Sequence, residues 1–356
     1  MAVAAAAAAL SLYSCAREPK VSDNTAAKQY FDSWIKLNHP DAVKKDPGIY
    51  IISETPGTGK EWENTDNKVA FVTYTRRSLD GVVSATNDEA IAKQTGSYSS
   101  GNYYGWTTWY NTSGSLYAGL ASALEGMKIG GTREVAIPSW LMVYARYADE
   151  ETYLNPPKKK KKSGKKNSTT TSSESNAIYT FTLREQADDI KAWQVDTLER
   201  FVSTNMGGVD STYYDGTDQT AKFGFYFKTV KKGSGSQPIP SDTTVYINYT
   251  GRLLNGKAFD TTDEKVAKQN GIYSSSKTYE PVLINWGEKY TDLTMSSSKS
   301  EIIDGFRAVL YHMHPMEKAV GAFWSELGYK YSGSGSRIPP YAPLFFEIEL
   351  VEAPEE

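Results

Sequence analysis

A chain of 356 residues with one cysteine, Cys15, cannot close a disulfide within itself. His39, His312 and His314 are its three histidines, and no cysteine or acidic cluster accompanies them at metal-ligand spacing. Acidic and basic residues nearly cancel, at a net charge of -3, which argues against a general nucleic-acid binder. After the N-terminal segment no apolar run approaches the ~20 residues of a spanning helix. There is no G-x-S-x-G elbow, and Lys232-Gly233-Ser234-Gly235-Ser236 and Gly57-Thr58-Gly59-Lys60 are turns too short for a phosphate loop. No cofactor and no metal are implied. What is plentiful is aromatic, with 25 Tyr and 8 Trp, and the many Ser, Thr, Asn and Gly residues beside them suit exposed strands and loops outside the cytosol. The length allows two or three domains, each large enough for its own core.

Periodicity divides the chain. Tyr30, Phe31, Trp34 and Ile35 stand at helical spacing within residues 24–37, and His39-Pro40 and Asp46-Pro47-Gly48 stop that helix. Strands follow at 49–52 and 69–74, with a turn at Pro56-Gly57 between them. The same order recurs as a helix over 190–202, strands at 225–227 and 245–249, and a turn at Gly233-Ser234-Gly235. Residues 88–100 (Asp-Glu-Ala-Ile-Ala-Lys-Gln-Thr-Gly-Ser-Tyr-Ser-Ser) match 263–275 (Asp-Glu-Lys-Val-Ala-Lys-Gln-Asn-Gly-Ile-Tyr-Ser-Ser) at an offset of 175, and Tyr74 meets Tyr249 at the same offset. A repeat this long means tandem copies of one domain, each preceded by a helix. The boundaries expected are residues 1–20, 21–189 and 190–356.

Two segments stand outside the repeat. Residues 2–9 are small and apolar, and Leu12-Tyr13-Ser14-Cys15 precedes a polar stretch; this resembles a bacterial lipoprotein signal, which implies that Cys15 is lipidated and that the segment before it is removed. A frayed helix carrying an isolated thiol is the alternative. The first copy carries a polar insert, 150–176, with Pro156-Pro157, the run Lys158 to Lys162, and Lys165 and Lys166. Such a run repels itself and stays disordered, either as a tether for anionic lipid or an acidic partner or simply as a solvated loop.

The end of the chain carries the most information. Gly328-Tyr329 leads through a Ser/Gly-rich loop at 332–336 to Ile338-Pro339-Pro340, and Leu344, Phe346, Ile348 and Leu350 then alternate with polar residues on a closing strand. With Tyr249-Thr250-Gly251, Gly256-Lys257-Ala258-Phe259-Asp260, Pro281-Val282 and Ile302-Ile303-Asp304-Gly305-Phe306, residues 225–351 resemble the FKBP-type peptidyl-prolyl cis-trans isomerases. The resemblance implies an α+β fold of two FKBP-like domains, each a bent antiparallel sheet wrapped on a short helix. It implies a proline pocket in which Tyr249, Phe259, Asp260 and Tyr329 act on the substrate and Val282, Ile302, Ile303, Phe306, Ile338 and Phe346 bind it. Val282 stands where the family usually has Phe, Phe306 where it usually has Trp, and an insertion rich in Ser and Tyr separates Asp260 from Pro281.

No nucleophile is needed for that chemistry. Rotation about X-Pro is blocked by about 20 kcal/mol of amide resonance, and an apolar pocket favours the twisted, less polar carbonyl over the planar amide. In the first copy Ser84 and Ala85 replace Phe259 and Asp260, Leu120 replaces Phe306 and the Ile-Pro-Pro segment is absent, so that copy is expected to be non-catalytic. The family implies proline-containing unfolded or extended polypeptides as partners. The signal implies the bacterial cell envelope, with the chain held by its N-terminal lipid on an outer membrane and facing periplasm or cell surface. A different class remains open: a non-catalytic binding or structural subunit of an outer-membrane assembly or export complex, with exposed Tyr and Trp of residues 98–110 as its contact surface.

Overall fold

The computed structural model describes residues 23–157, 175–213, 224–234, 238–296 and 302–354. Cys15 and the lysine run of the insert lie outside them.

Helix α1 (Asp23–Asn38) opens the first repeat and buries Phe31 and Ile35. Strands β1 (Val43–Lys45), β2 (Ile49–Thr55), β3 (Lys68–Arg77) and β4 (Val83–Thr86) lead to helix α2 (Glu89–Gln94). Then come β5 (Thr107–Asn111), α3 (Ala118–Leu124), β6 (Thr132–Ile137), α4 (Glu150–Leu154) and β7 (Ala177–Ala187). Helix α5 (Ile190–Asn205) opens the second repeat. It is followed by β8 (Phe225–Lys231), β9 (Thr243–Leu253), β10 (Ala258–Thr261), α6 (Glu264–Gln269), β11 (Val282–Trp286), β12 (Thr294–Met295), α7 (Asp304–Tyr311), β13 (Lys318–Phe323) and β14 (Leu344–Val351). The fold is α+β. Each repeat is a seven-stranded antiparallel sheet, ordered β1-β2-β6-β7-β3-β4 with β5 also on β3, and β12-β11-β9-β14-β13-β8 with β10 also on β9. Each sheet covers one short helix, α3 or α7, whose apolar residues are buried.

The duplication extends to atomic detail. Thr75 pairs with Thr86 across β3 and β4, and Thr250 with Thr261 across β9 and β10, each pair joined hydroxyl to hydroxyl at 2.9 and 2.7 Å. Asp88 caps α2 by accepting from the Ile91 N–H, and Asp263 caps α6 from the Val266 N–H. Tyr98 stacks on Tyr104 at 5.3 Å, and Tyr273 on Tyr279 at 5.5 Å.

Helix α5 ties the repeats together because its two halves bury different faces. Ile190 and Trp193 pack with Val69, Phe71 and Ala187 on the first sheet. One turn later Leu198, Val202 and Met206 pack with Val320 and Ala322 on the second. Between them Gln194, 1% exposed, accepts a hydrogen bond from the Ser325 N–H at 2.8 Å.

Residues 150–154, at the start of the insert, form a helix in which Tyr153 and Leu154 bury against the first core. One expectation is corrected. The aromatic segment 98–110 is exposed at Tyr98 but not along its length: Trp109 lies in the first core, while Trp106 and Tyr110 pack with Trp193 and Tyr341. Only long-range folding supplies those two partners, so local sequence could not show the burial.

Replacing fully buried Leu198 by alanine removes apolar contact at the α5 seam and is expected to cost about 2–5 kcal/mol. Chemical denaturation measures it, and a loss under about 1 kcal/mol would contradict the assigned role of α5.

Candidate functional site

The site lies on the second sheet, where β9 is shared by β14, β10 and β11. Period-two alternation on β14 turns Leu344, Phe346, Ile348 and Leu350 inward. Phe346 is the meeting point. Its ring centroid lies 5.0 Å from Phe306 and 5.6 Å from Phe259, both edge to face, and 5.6 Å from Phe323, stacked. Tyr249 completes the box at 5.3 Å from Phe306. A glycine makes this possible: a Cβ on Gly251 would sit 2.7 Å from both the Phe259 and Phe346 rings. On α7, a Cβ at Gly305 would sit 2.3 Å from the Phe323 ring, so the helix reaches the sheet only as glycine.

The expected residues come together. Tyr249, Phe259, Ile302, Phe306, Ile338 and Phe346 belong to one buried cluster, and Val282, Ile303 and Tyr329 pack half-buried against it. Asp260 sits at the rim. The Tyr249 hydroxyl donates to its Oδ2 at 2.6 Å and the Thr261 N–H to its Oδ1 at 2.9 Å. Burial, and then the Asp260 carboxylate, push the Tyr249 hydroxyl well above the ordinary tyrosine pKa and raise Tyr329 for the same two reasons. Both hydroxyls therefore stay protonated donors through neutral and moderately alkaline pH.

The Ser/Gly-rich loop is a wall with its own register. Ser334 and Ile338 exchange backbone hydrogen bonds at 2.9 and 3.1 Å, which turns the Ile338 side chain inward. Gly333 allows the turn, at φ +62° and with its Cβ direction 2.2 Å from the Ile338 carbonyl oxygen.

Sequence reasoning missed two groups. Lys277 Nζ donates to Asp260 Oδ1 at 2.5 Å from the very insertion that separates Asp260 from Pro281. Arg337 donates to the Phe259 carbonyl at 3.2 Å and ties the loop to β10. An acid at one end of a serine-rich insertion and a lysine within it was the available signal.

The family model described as FKBP-type peptidyl-prolyl cis-trans isomerase matches residues 235–351. That match covers most of the second repeat. The macrophage infectivity potentiator of Trypanosoma cruzi is 27% identical over 128 residues, 36% of this chain and 52% of that protein. The probable FKBP-type peptidyl-prolyl cis-trans isomerase FkpA of Neisseria meningitidis is 31% identical over 143 residues, 40% and 42% of the two chains. The FKBP-type 22 kDa peptidyl-prolyl cis-trans isomerase of Escherichia coli is 26% identical over 174 residues, 48% and 68%. The first two matches thus span about half the length of those relatives.

The FKBP-type box is replaced in the first repeat. Register puts Ala85 where Asp260 stands and Thr107 where Val282 stands. Trp109 packs its ring 5.9 Å from Tyr74 and 4.9 Å from Phe181. Arg76 holds the place of Gly251, with Ser84 where Phe259 stands and Tyr179 where Phe346 stands.

Gly251→Ala is expected to force the Phe259 and Phe346 rings apart and cost about 1–3 kcal/mol of stability. Unchanged denaturation would show that the rings are less closely fixed than their spacing indicates.

Proposed function

We propose that the chain is a peptidyl-prolyl cis-trans isomerase acting on X-Pro bonds of unfolded or extended polypeptides, with its catalytic pocket in the second repeat. The observation that carries this is the cluster of the Tyr249, Phe259, Phe306 and Phe346 rings with Asp260 fixed at its rim. A proline ring in that box leaves its preceding carbonyl against a low-polarity wall. The planar amide, with charge on its oxygen, is disfavoured there relative to the twisted one, and that difference lowers the barrier. The Tyr329 hydroxyl and the Ile303 N–H would hold the carbonyls on either side. Asp260, oriented by the Tyr249 hydroxyl, would face the rotating carbonyl carbon as a local dipole.

The first repeat serves no turnover in this reading, since Ser84 and Ala85 supply neither ring nor carboxylate. Residues 21–189 and 190–356 are its two domains. A binding-only role for the second pocket is favoured by one observation, the Lys277 ion pair, which neutralises Asp260 and weakens its field at the carbonyl. Location is read from Cys15 alone. We place the chain at a bacterial outer membrane, held by a lipid on that residue, facing periplasm or cell surface. Among the described residues no helix is long and apolar enough to cross a membrane. Cys15→Ser should move the protein from the membrane to the soluble fraction of cells, and an unchanged distribution would remove the lipid anchor.

Protease-coupled isomerisation of a short X-Pro peptide by the intact chain tests the activity. Asp260→Ala should lower kcat/KM about tenfold or more, a loss of ~1.4 kcal/mol of selectivity, and Tyr329→Phe should weaken it mainly through KM. Turnover surviving undiminished in Asp260→Ala would move catalysis away from this pocket.

A further inference from the structure

The first repeat leans on the pocket wall of the second. The Tyr103 N–H donates to the Ser336 carbonyl at 2.8 Å, and the Ser336 hydroxyl donates to Asn102 Oδ1 at 2.6 Å. The Asn102 carbonyl accepts from Lys257, just before β10, and the Tyr103 ring packs against the second core. Farther along the wall Tyr341 meets Tyr110 at 5.8 Å between ring centroids. The repeat explains the geometry. Tyr104 stacks in its own loop as Tyr279 does in the second, so Asn102 holds the place of Lys277. Lys277 turns to the acid of its own pocket. The first repeat has Ala85 in place of that acid, and Asn102 is spent instead on the neighbouring repeat.

Beside this contact lies a cleft of about 460 Å³. One side is the eroded pocket of the first repeat, with Tyr74, Ala85 and Thr107; the other is Ile338-Pro339-Pro340 of the second. Ile338 is thus shared, in the core that forms the proline pocket and on the wall of the cleft. No Asp, Glu, Lys or Arg lines the cleft, which is walled by hydroxyl, amide, aromatic and small apolar groups. The volume lies within the range of built ligand sites and is that of a few residues of polypeptide.

We propose that this cleft is a second subsite of the isomerase, receiving an uncharged stretch of the polypeptide that flanks the substrate proline. The first repeat, having lost its own ring and acid, thereby becomes the outer wall of its neighbour's site. Because Ile338 belongs to both, the occupant is a segment of the same chain that carries the proline, and the neutral lining selects against charged flanks, whose desolvation no partner here would offset. The proposal rests on the proline pocket of the second repeat.

Binding of two peptides to the intact protein tests it by titration calorimetry. One is a four-residue X-Pro core, and the other has the same core extended on both sides by four uncharged residues. The extended peptide should bind about tenfold more tightly than the core. Ala85→Trp, which fills the cleft, should bring that ratio close to one, and so should Ser84→Arg at a neighbouring exposed position if the tryptophan disturbs folding. Equal affinities for the two peptides in the unaltered protein, or a ratio that survives in a folded cleft variant, would overturn the subsite. Isomerisation of the core peptide is followed in the same samples. A length advantage without turnover supports the subsite while sinking catalysis, and turnover without a length advantage does the reverse.

Discussion

The ring of Phe346 is the constraint on which the second repeat depends. It sits on β14 opposite Gly251 of β9, and four other aromatic rings, those of Tyr249, Phe259, Phe306 and Phe323, are placed against it. Rings in edge-to-face contact cannot close over a void, and they cannot tolerate a Cβ where Gly251 and Gly305 allow backbone to approach. A fixed apolar cluster of rings follows from that packing. The polar rim follows in turn: with Tyr249 held in the box, its hydroxyl reaches Asp260, and Asp260 collects Lys277 and the Thr261 N–H on its other oxygen.

A second dependence links the repeats. Helix α5 is apolar on two faces, and neither sheet can be moved without uncovering one of them. It sets the spacing at which the first repeat's loop meets Ser336 and at which Tyr110 meets Tyr341. Duplicate folds diverge most easily where one copy is released from chemistry. Here Arg76 stands at the position of Gly251, beside the place that Phe259 has lost, and Asn102 stands at the position of Lys277, opposite the place that Asp260 has lost.

Much of this was legible in the sequence because it is local or repeated. Helices at 24–37 and 190–202 are found at Asp23–Asn38 and Ile190–Asn205, since their apolar spacing matches the helical period and Pro40 stops the first. The offset of 175 predicts Ser84 and Ala85 opposite Phe259 and Asp260, and strand register places them there. The box residues were named from ordered motifs, three of them on strands and Phe306 on helix α7. What was not legible depends on chain crossing from one repeat to the other. Trp106 and Tyr110 read as exposed aromatics because Trp193 and Tyr341, which cover them, stand 87 and 231 residues away. Lys277 read as part of a serine-rich insertion because nothing local shows that the loop folds back on Asp260.

The measurement that bears most directly on the central claim is exchange spectroscopy by NMR on an X-Pro peptide with a small amount of the intact chain. The account predicts exchange cross-peaks between the cis and trans proline signals, with protein shifts centred on Tyr249, Phe259, Phe306 and Phe346. Peptide-induced shifts at those rings without any exchange would make the pocket a binding site alone, and shifts elsewhere would contradict the site itself.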